Sequence, residues 1–392
     1  MRRFLLFVFS IALAGGAQAS TLLVLQFHNN SQYTDLNWVG ESVAETLISE
    51  VGSSDQIALD RDARAEGLRR LSLRPDADYT KATVIRLAQS LDVDIVCFGN
   101  YDITLPPGSS ELKDSSIRIS ARFLDLRKMH DGPEMSEAGK LSDLTRLEEH
   151  LAWQTLKYVE PSTDVPLDKF LAPAKLVRLD AEESYIRGLL SASQEQREKW
   201  FLQATKLDPQ FTNPLFDLGR LELSQNNFRQ AITYLQRVPA TDVRYNEARF
   251  AMGLAAFRSG DYNSAKSYFT EVGKQIPLSE VFNNLGAAEN ELNQPAAIDD
   301  FRKALEGDQS DSTYLYNLSL ALIKNNQYDA AIAKLQQLVT HSPDDTDAQN
   351  LLSRATHRET LTANAKAPER LKPSFNGTAF RQLKAVLLHP GN

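Results

Sequence analysis

The chain has 392 residues, too many for one ordinary core and enough for two or three domains. Its hydrophobic share of 42% and charged share of 24% are those of a globular protein and exclude a fibrous or wholly disordered one. A formal net charge of −8 argues against nucleic acid as a partner, and a single cysteine, Cys97, excludes an internal disulfide or a thiolate metal cluster.

Residues 1–19 read as a signal peptide. Arg2 and Arg3 precede the apolar run FLLFVFSIALAGG, and Ala17-Gln18-Ala19 is a small-x-small cleavage site before Ser20. The run is short for a membrane span. The expected location is therefore periplasmic or secreted after cleavage near Ala19; an uncleaved anchor is the alternative.

Residues 20–160 alternate between strand and helix patterns. Residues 21–27 (TLLVLQF) read as a buried strand that ends in the polar turn HNNSQ. Val39, Val43, Leu47, Ile48 and Val51 fall at helical spacing over residues 38–52. A short strand is expected over 56–60, and helices over 63–73 and 79–92. Residues 92–104 and 115–127 read as long strands, the second alternating Ile117, Ile119, Ala121 and Phe123 with Arg118, Ser120 and Arg122. The loop LPPGSSELK between them makes the pair antiparallel. A helix over 144–159 closes the unit. The order β-α-β-α-α-β-β-α predicts an α+β domain with a mixed sheet covered by helices.

The stretch LLVLQFHNNSQYTDLNWVGESVAETLISEV resembles the opening of the TolB amino-terminal-like (FlgO-like) domains of bacterial envelope proteins. AQSLDVDIVCFGNYDI followed by IRISARFLDLRK is similar to their later strand pair. The resemblance implies a non-catalytic module and no active-site residues.

Residues 161–180 hold three prolines and lose both periodicities, which reads as a linker. From residue 181 to 345 the chain repeats. Gly219, Gly253 and Gly286 are 34 and 33 residues apart, and Ser319 follows 33 later. Phe228 and Tyr262 keep the same rhythm, with Pro295 and Tyr328 next. So do Ala231, Ala265, Ala297 and Ala331, and Pro209, Pro277 and Pro343 close three units. Small residues allow two helices to approach, aromatics fill the gap between hairpins, and proline stops the second helix. This resembles the tetratricopeptide repeat. It implies an all-α solenoid of about five helical hairpins, over 181–211, 212–245, 246–278, 279–311 and 312–345, in which each hairpin touches only its neighbours.

By the geometry of that repeat, the first helices line a concave face. Its partner-binding candidates are Phe216, Arg220, Phe250, Leu254 and Phe257. Asn283, Asn290, Tyr316 and Lys324 extend the set. Aromatics, asparagines and scattered charges suit an extended peptide or a helix of a protein partner. A two-cation clamp for a terminal carboxylate is not evident. Residues 346–392 form a capping helix and a basic tail, with seven Lys or Arg and two Glu from Arg354 onward. Phe380, Leu383, Val386 and Leu387 share one helical face there. That face is expected to dock on the last hairpin, with a membrane surface as the alternative.

No chemistry is legible elsewhere. The six histidines lack zinc-hydrolase spacing, and no Walker, G-x-S-x-G or dinucleotide fingerprint occurs, so no metal, cofactor or catalytic residue is expected. The polar cluster His28-Asn29-Asn30 is the one residual candidate, and a plain turn accounts for it. Cys97, within DIVCFGN, reads as a small buried hydrophobe. The expected function is an exported, non-catalytic scaffold. It would hold one protein partner in the groove and a second on the α/β domain. A periplasmic chaperone or secretion and assembly factor holding extended peptides would use the same surface. An enzyme with an unrecognised α/β site is the remaining alternative.

Overall fold

The computed structural model describes residues 20–52, 57–107, 114–172, 177–360 and 368–375, together with positions 380 and 383. The expected signal peptide lies outside the described residues. So do residues 108–113 of the loop between the long strands, and most of the helix expected over 378–389.

The N-terminal unit begins with β1 (Thr21–Val24), β2 (His28–Asn29), α1 (Trp38–Gly52), β3 (Ile57–Ala58), α2 (Arg61–Arg70) and α3 (Lys81–Ser90). It continues with β4 (Ile95–Thr104), β5 (Ser116–Asp125), β6 (His130–Lys140) and α4 (Leu144–Val159). The sheet runs β3-β1-β4-β5-β6, and β2 adds to β4. β1 pairs in parallel with β3 and β4, while β4, β5 and β6 form an antiparallel meander. The expected mixed sheet is present. It also holds two strands that the residue pattern does not announce, the short β2 and the long β6. In β6 the run HDGPEMSEAGK has no fully buried residue. It contains Gly132 and Pro133 and few β-formers, so the ladder of β5 rather than its own propensity makes it a strand. Proline is tolerated there because β6 is the edge.

Alternation along the strands splits the core in two. Leu22, Val24, Ile95, Cys97, Ile117, Ile119, Ala121 and Phe123 face α1 and α4. Leu23, Leu25, Val96 and Leu124 face α2 and α3. Cys97 is fully buried, and burial pushes its thiol far above the ordinary range, so it stays protonated.

Among the described residues of 161–178 lies one short helix, α5 (Leu167–Leu171). Five antiparallel hairpins then follow. They are α6 (Leu179–Leu190) with α7 (Gln194–Leu207), and α8 (Asn213–Ser224) with α9 (Phe228–Leu235). Next come α10 (Tyr245–Arg258) with α11 (Tyr262–Gln275), and α12 (Ser279–Glu291) with α13 (Ala297–Gly307). α14 (Ser312–Lys324) with α15 (Tyr328–His341) completes the series, and α16 (Thr346–Thr356) covers its end. The small position matters physically. A Cβ on Gly253 would sit 2.6 Å from Cε1 of Phe269, inside the hairpin it belongs to. The same close approach recurs between Gly286 and Phe301, so it fixes how near the two helices of a hairpin lie.

The two units share one core. Ala181, Tyr185 and Ile186 of α6 and Phe201 of α7 belong to the same buried cluster as α1, α4 and the sheet. Polar contacts cross the junction as well. Ser42 Oγ and Thr145 Oγ1 each donate to Glu182 at 2.7 Å, and Arg187 donates to the carbonyl of Asp35 at 2.9 Å. Thr46 donates to Glu148, whose carboxyl is pushed well above the carboxylate range by burial and by the neighbouring Glu182. The first hairpin is thus seated on the α/β unit rather than tethered to it.

A concave groove filled by a C-terminal segment

The first helices of the later hairpins present a row of amides. Asn283 and Asn284 on α12 and Asn317 on α14 are fully buried, and Asn317 Nδ2 donates to Asn283 Oδ1 at 2.8 Å. What buries them is main chain from residues 368–375. Asn283 and Asn317 both donate to the carbonyl of Arg370, at 3.0 and 2.7 Å. The Arg370 amide donates back to Asn317 Oδ1 at 2.9 Å. Asn284 binds Lys372 on both sides, donating to its carbonyl and accepting from its amide at 2.9 Å each. Amide side chains can serve N–H and C=O together, so they satisfy an extended strand without a sheet edge.

Side chains then read the segment. The Arg370 guanidinium forms a two-pronged pair with Asp345 at 2.6 and 2.8 Å and lies 3.7 Å over the ring of Tyr316. That guanidinium holds the Asp345 carboxyl below its usual range. Lys372 Nζ reaches Asp311 at 2.6 Å and lies 4.8 Å from the ring centre of Tyr314. Phe375 packs tilted on Phe250 with centroids 4.6 Å apart and touches Phe380 beyond it. Asp311 and Asp345 also cap α14 and α16, accepting from backbone N–H groups of the first turn. One carboxylate therefore serves both a helix start and a cation of the bound segment.

Five predicted groove residues, Phe250, Asn283, Asn290, Tyr316 and Lys324, touch this segment. Asn290 and Lys324 hold the Glu369 carboxylate at 2.8 and 3.2 Å. Of the other four, Phe216, Leu254 and Phe257 share with Leu371 and Phe375 the apolar cluster around α10, and each has its own neighbours. Phe216 is buried and receives Arg244 at 5.0 Å from its ring centre. Arg220 sits over the same ring at 5.9 Å. Leu254 is buried in the core around α10. Phe257 packs edge-on against Tyr262. Pattern reading missed Asn284, Tyr314, Asn317 and the two capping aspartates. Asn317 carried a usable signal, since it lies 33 residues after Asn284 and, like it, two before the small position of its repeat. Phe380 and Leu383 pack beside Phe250 in the cluster of α8 to α12, not on the last hairpin. The reason is the direction of the segment, which crosses from α14 back towards α10.

Elsewhere, His28 Nδ1 meets the carbonyl of Asp76 at 2.8 Å, and Asn29 binds Ser31, Tyr33 and Asn37. His28 and Asn29 thus form β2 beside β4, and the Asn29 side chain holds the turn that follows.

Glu369 makes the contact sensitive to pH. Its side chain is 2% exposed, and burial with Glu291 beside it raises the carboxyl to about 7 despite Lys324. A raised acid favours the docked state when protonated. Docking is strongest below the ordinary carboxylate value of about 4.3 and weakens as pH rises through 7. Protection of the Arg370 and Lys372 amides from hydrogen exchange, corrected for intrinsic rate, is expected to fall about tenfold from pH 5.5 to 8. In Glu369→Gln it should stay level.

The comparisons with known proteins concern the repeats. Two tetratricopeptide-repeat family models match residues 216–272 and 295–355. Sperm-associated antigen 1 of Mus musculus is 31% identical over 102 residues, which are 26% of this chain and 11% of that protein. Anaphase-promoting complex subunit 3 of Schizosaccharomyces pombe is 22% identical over 167 residues, 42% of this chain and 25% of that protein. The chain thus spans only a tenth to a quarter of these relatives. Among solved structures, YrrB, titled a TPR protein with an unusual peptide-binding site, is 17% identical with a TM-score of 0.36. The match covers 49% of this chain and 93% of that one. MamA is 15% identical with a TM-score of 0.38, over 41% of this chain and 95% of that one. The family matches, with the hairpins themselves, establish that the C-terminal part of this chain carries tetratricopeptide repeats.

Proposed function

We propose that the protein is an exported, non-catalytic scaffold that holds an extended segment of a protein partner along the concave face of its repeats. The observation that carries this reading is the row Asn283, Asn284 and Asn317, whose linked amides also bind the main chain of residues 370 and 372. Main-chain recognition is what a site for extended peptides needs. The N-terminal residues 1–19 support export, and the α/β unit offers a second surface for another protein. No cofactor enters this reading.

The test is crosslinking in intact cells, with the recovered chain expected to begin at Ser20. Phe250→Ala combined with Asn283→Ala should reduce capture of a defined partner at least tenfold while the helical circular dichroism is kept. Unchanged capture by a folded double variant would remove the groove from the mechanism. Recovery of many unfolded clients in place of one partner would favour a chaperone.

A further inference from the structure

We propose that the segment Pro-Glu-Arg-Leu-Lys-Pro-Ser-Phe, residues 368–375, is an in-chain competitor for the groove, and that the partner carries the same chemistry. This rests on the reading of the concave face as the partner site. The partner class is an extended segment with a cation, a second cation two residues on, and an aromatic ring three further. Each feature has its own seat. Asp345 and the Tyr316 ring take the first cation, and Asp311 and the Tyr314 ring take the second. Phe250 takes the aromatic. Asn283, Asn284 and Asn317 take the main chain of residues 370 and 372.

Charge and economy of contact point to displacement rather than permanent closure. From Arg354 onward the chain carries seven basic and two acidic residues on a protein of net charge −8, so it is attracted to the acidic seats. The contacts are ion pairs, hydrogen bonds and ring contacts of a short segment with side chains of α10 to α16. A segment tethered to the chain it binds competes at a high effective concentration. A partner must therefore outbid a competitor that is always present, and only one of matching chemistry can.

The experiment uses the full chain and a fluorescein-labelled octapeptide PERLKPSF as probe. In one variant the tail is released by R370E, K372E and F375A together, with melting temperature and circular dichroism as fold controls. The released chain is expected to bind the probe at least tenfold more tightly than the parent. R370E alone, which leaves Lys372 and Phe375 seated, should fall between them and stands in if the triple variant folds poorly. A probe with glutamate at both basic positions should bind the released chain at least tenfold more weakly. Adding Asn317→Ala to the released chain should weaken PERLKPSF by a similar factor.

Equal binding by parent and released chain overturns the proposal, as does no binding by a folded released chain. A parent dimer that dissolves on release overturns it too, in favour of tail exchange between copies. If the probe fails while partner capture still depends on Phe250 and Asn283, the groove reading survives and this one falls. If capture is also independent of those residues, both fall.

Discussion

Arg64→Ala is expected to destabilise the α/β unit by about 3–5 kcal/mol, because it strands a buried carboxylate. Arg64 is 4% exposed and pairs with Glu41, which is 2% exposed. It also lies 3.5 Å from Glu45 and donates to the carbonyl of Val24 at 3.2 Å, where β1 ends. Burial and the neighbouring Glu41 already raise Glu45 to about 7 while Arg64 lowers it. Without the guanidinium, two acids face one another in a low-dielectric pocket. The sign with pH follows. Protonation relieves the repulsion, so the deficit should be largest at pH 8 and shrink towards pH 5. Denaturant unfolding at the two pH values measures it. The paired change Arg64→Met with Glu41→Leu should recover most of the loss, since a hydrophobic pair removes the stranded charge. Equal losses for the single and paired changes would mean that packing, not charge, is what Arg64 supplies.

The parts of this molecule that were legible in its residues are those whose constraints repeat. A glycine that must lie against Phe269 recurs one hairpin later against Phe301, so the 33–34 residue period shows without any alignment. The helices of the α/β unit show by their apolar spacing, and β4 and β5 by their runs. β6 does not, because an edge strand borrows its hydrogen bonds from β5 and needs no apolar alternation. The same logic applies in the groove. Repeat geometry places Asn283, Asn290, Tyr316 and Lys324 on one face before any partner is known. The occupant is another matter. PERLKPSF has no period and no propensity, and its contacts with Asn283 and Asn284 span 87 and 88 residues. Asp311 and Asp345 read as helix caps, which they are; only the bound segment shows their second use.

That second use bears on how a scaffold of this kind can be tuned. Capping carboxylates are held in place by the helices they start, so they present charge at fixed positions with little ordering cost on binding. The repeat then spaces them, 34 residues apart in sequence, as seats for two cations of one peptide. Register in the bound segment is set by those seats, while Asn283, Asn284 and Asn317 take the main chain of residues 370 and 372.

The junction between the two units carries the other large effect. Tyr185 lies at the start of the solenoid, buried among Phe201 and Phe211 with ring centroids 5.6 and 5.2 Å away. Its hydroxyl donates to Asp217 at 2.8 Å on α8, and burial keeps the phenol protonated by pushing its pKa well up. The same core includes Trp38, Leu151 and Ala152 of the α/β unit. Tyr185→Ala is expected to cost about 3–5 kcal/mol through the cavity it opens. It should also change the form of unfolding. A shared core makes the α/β unit and the first hairpins melt together, and its loss should split one calorimetric transition into two. Tyr185→Phe, which removes the hydroxyl alone, should cost about 1 kcal/mol and keep a single transition. Probe binding by the tail-released chain should survive Tyr185→Ala at temperatures below the first transition, because the groove residues lie on α10 to α16. A single unshifted transition in Tyr185→Ala would show that the two units do not depend on this core for their cohesion. The scaffold would then hold its two surfaces through the polar contacts of Glu182 and Arg187 instead.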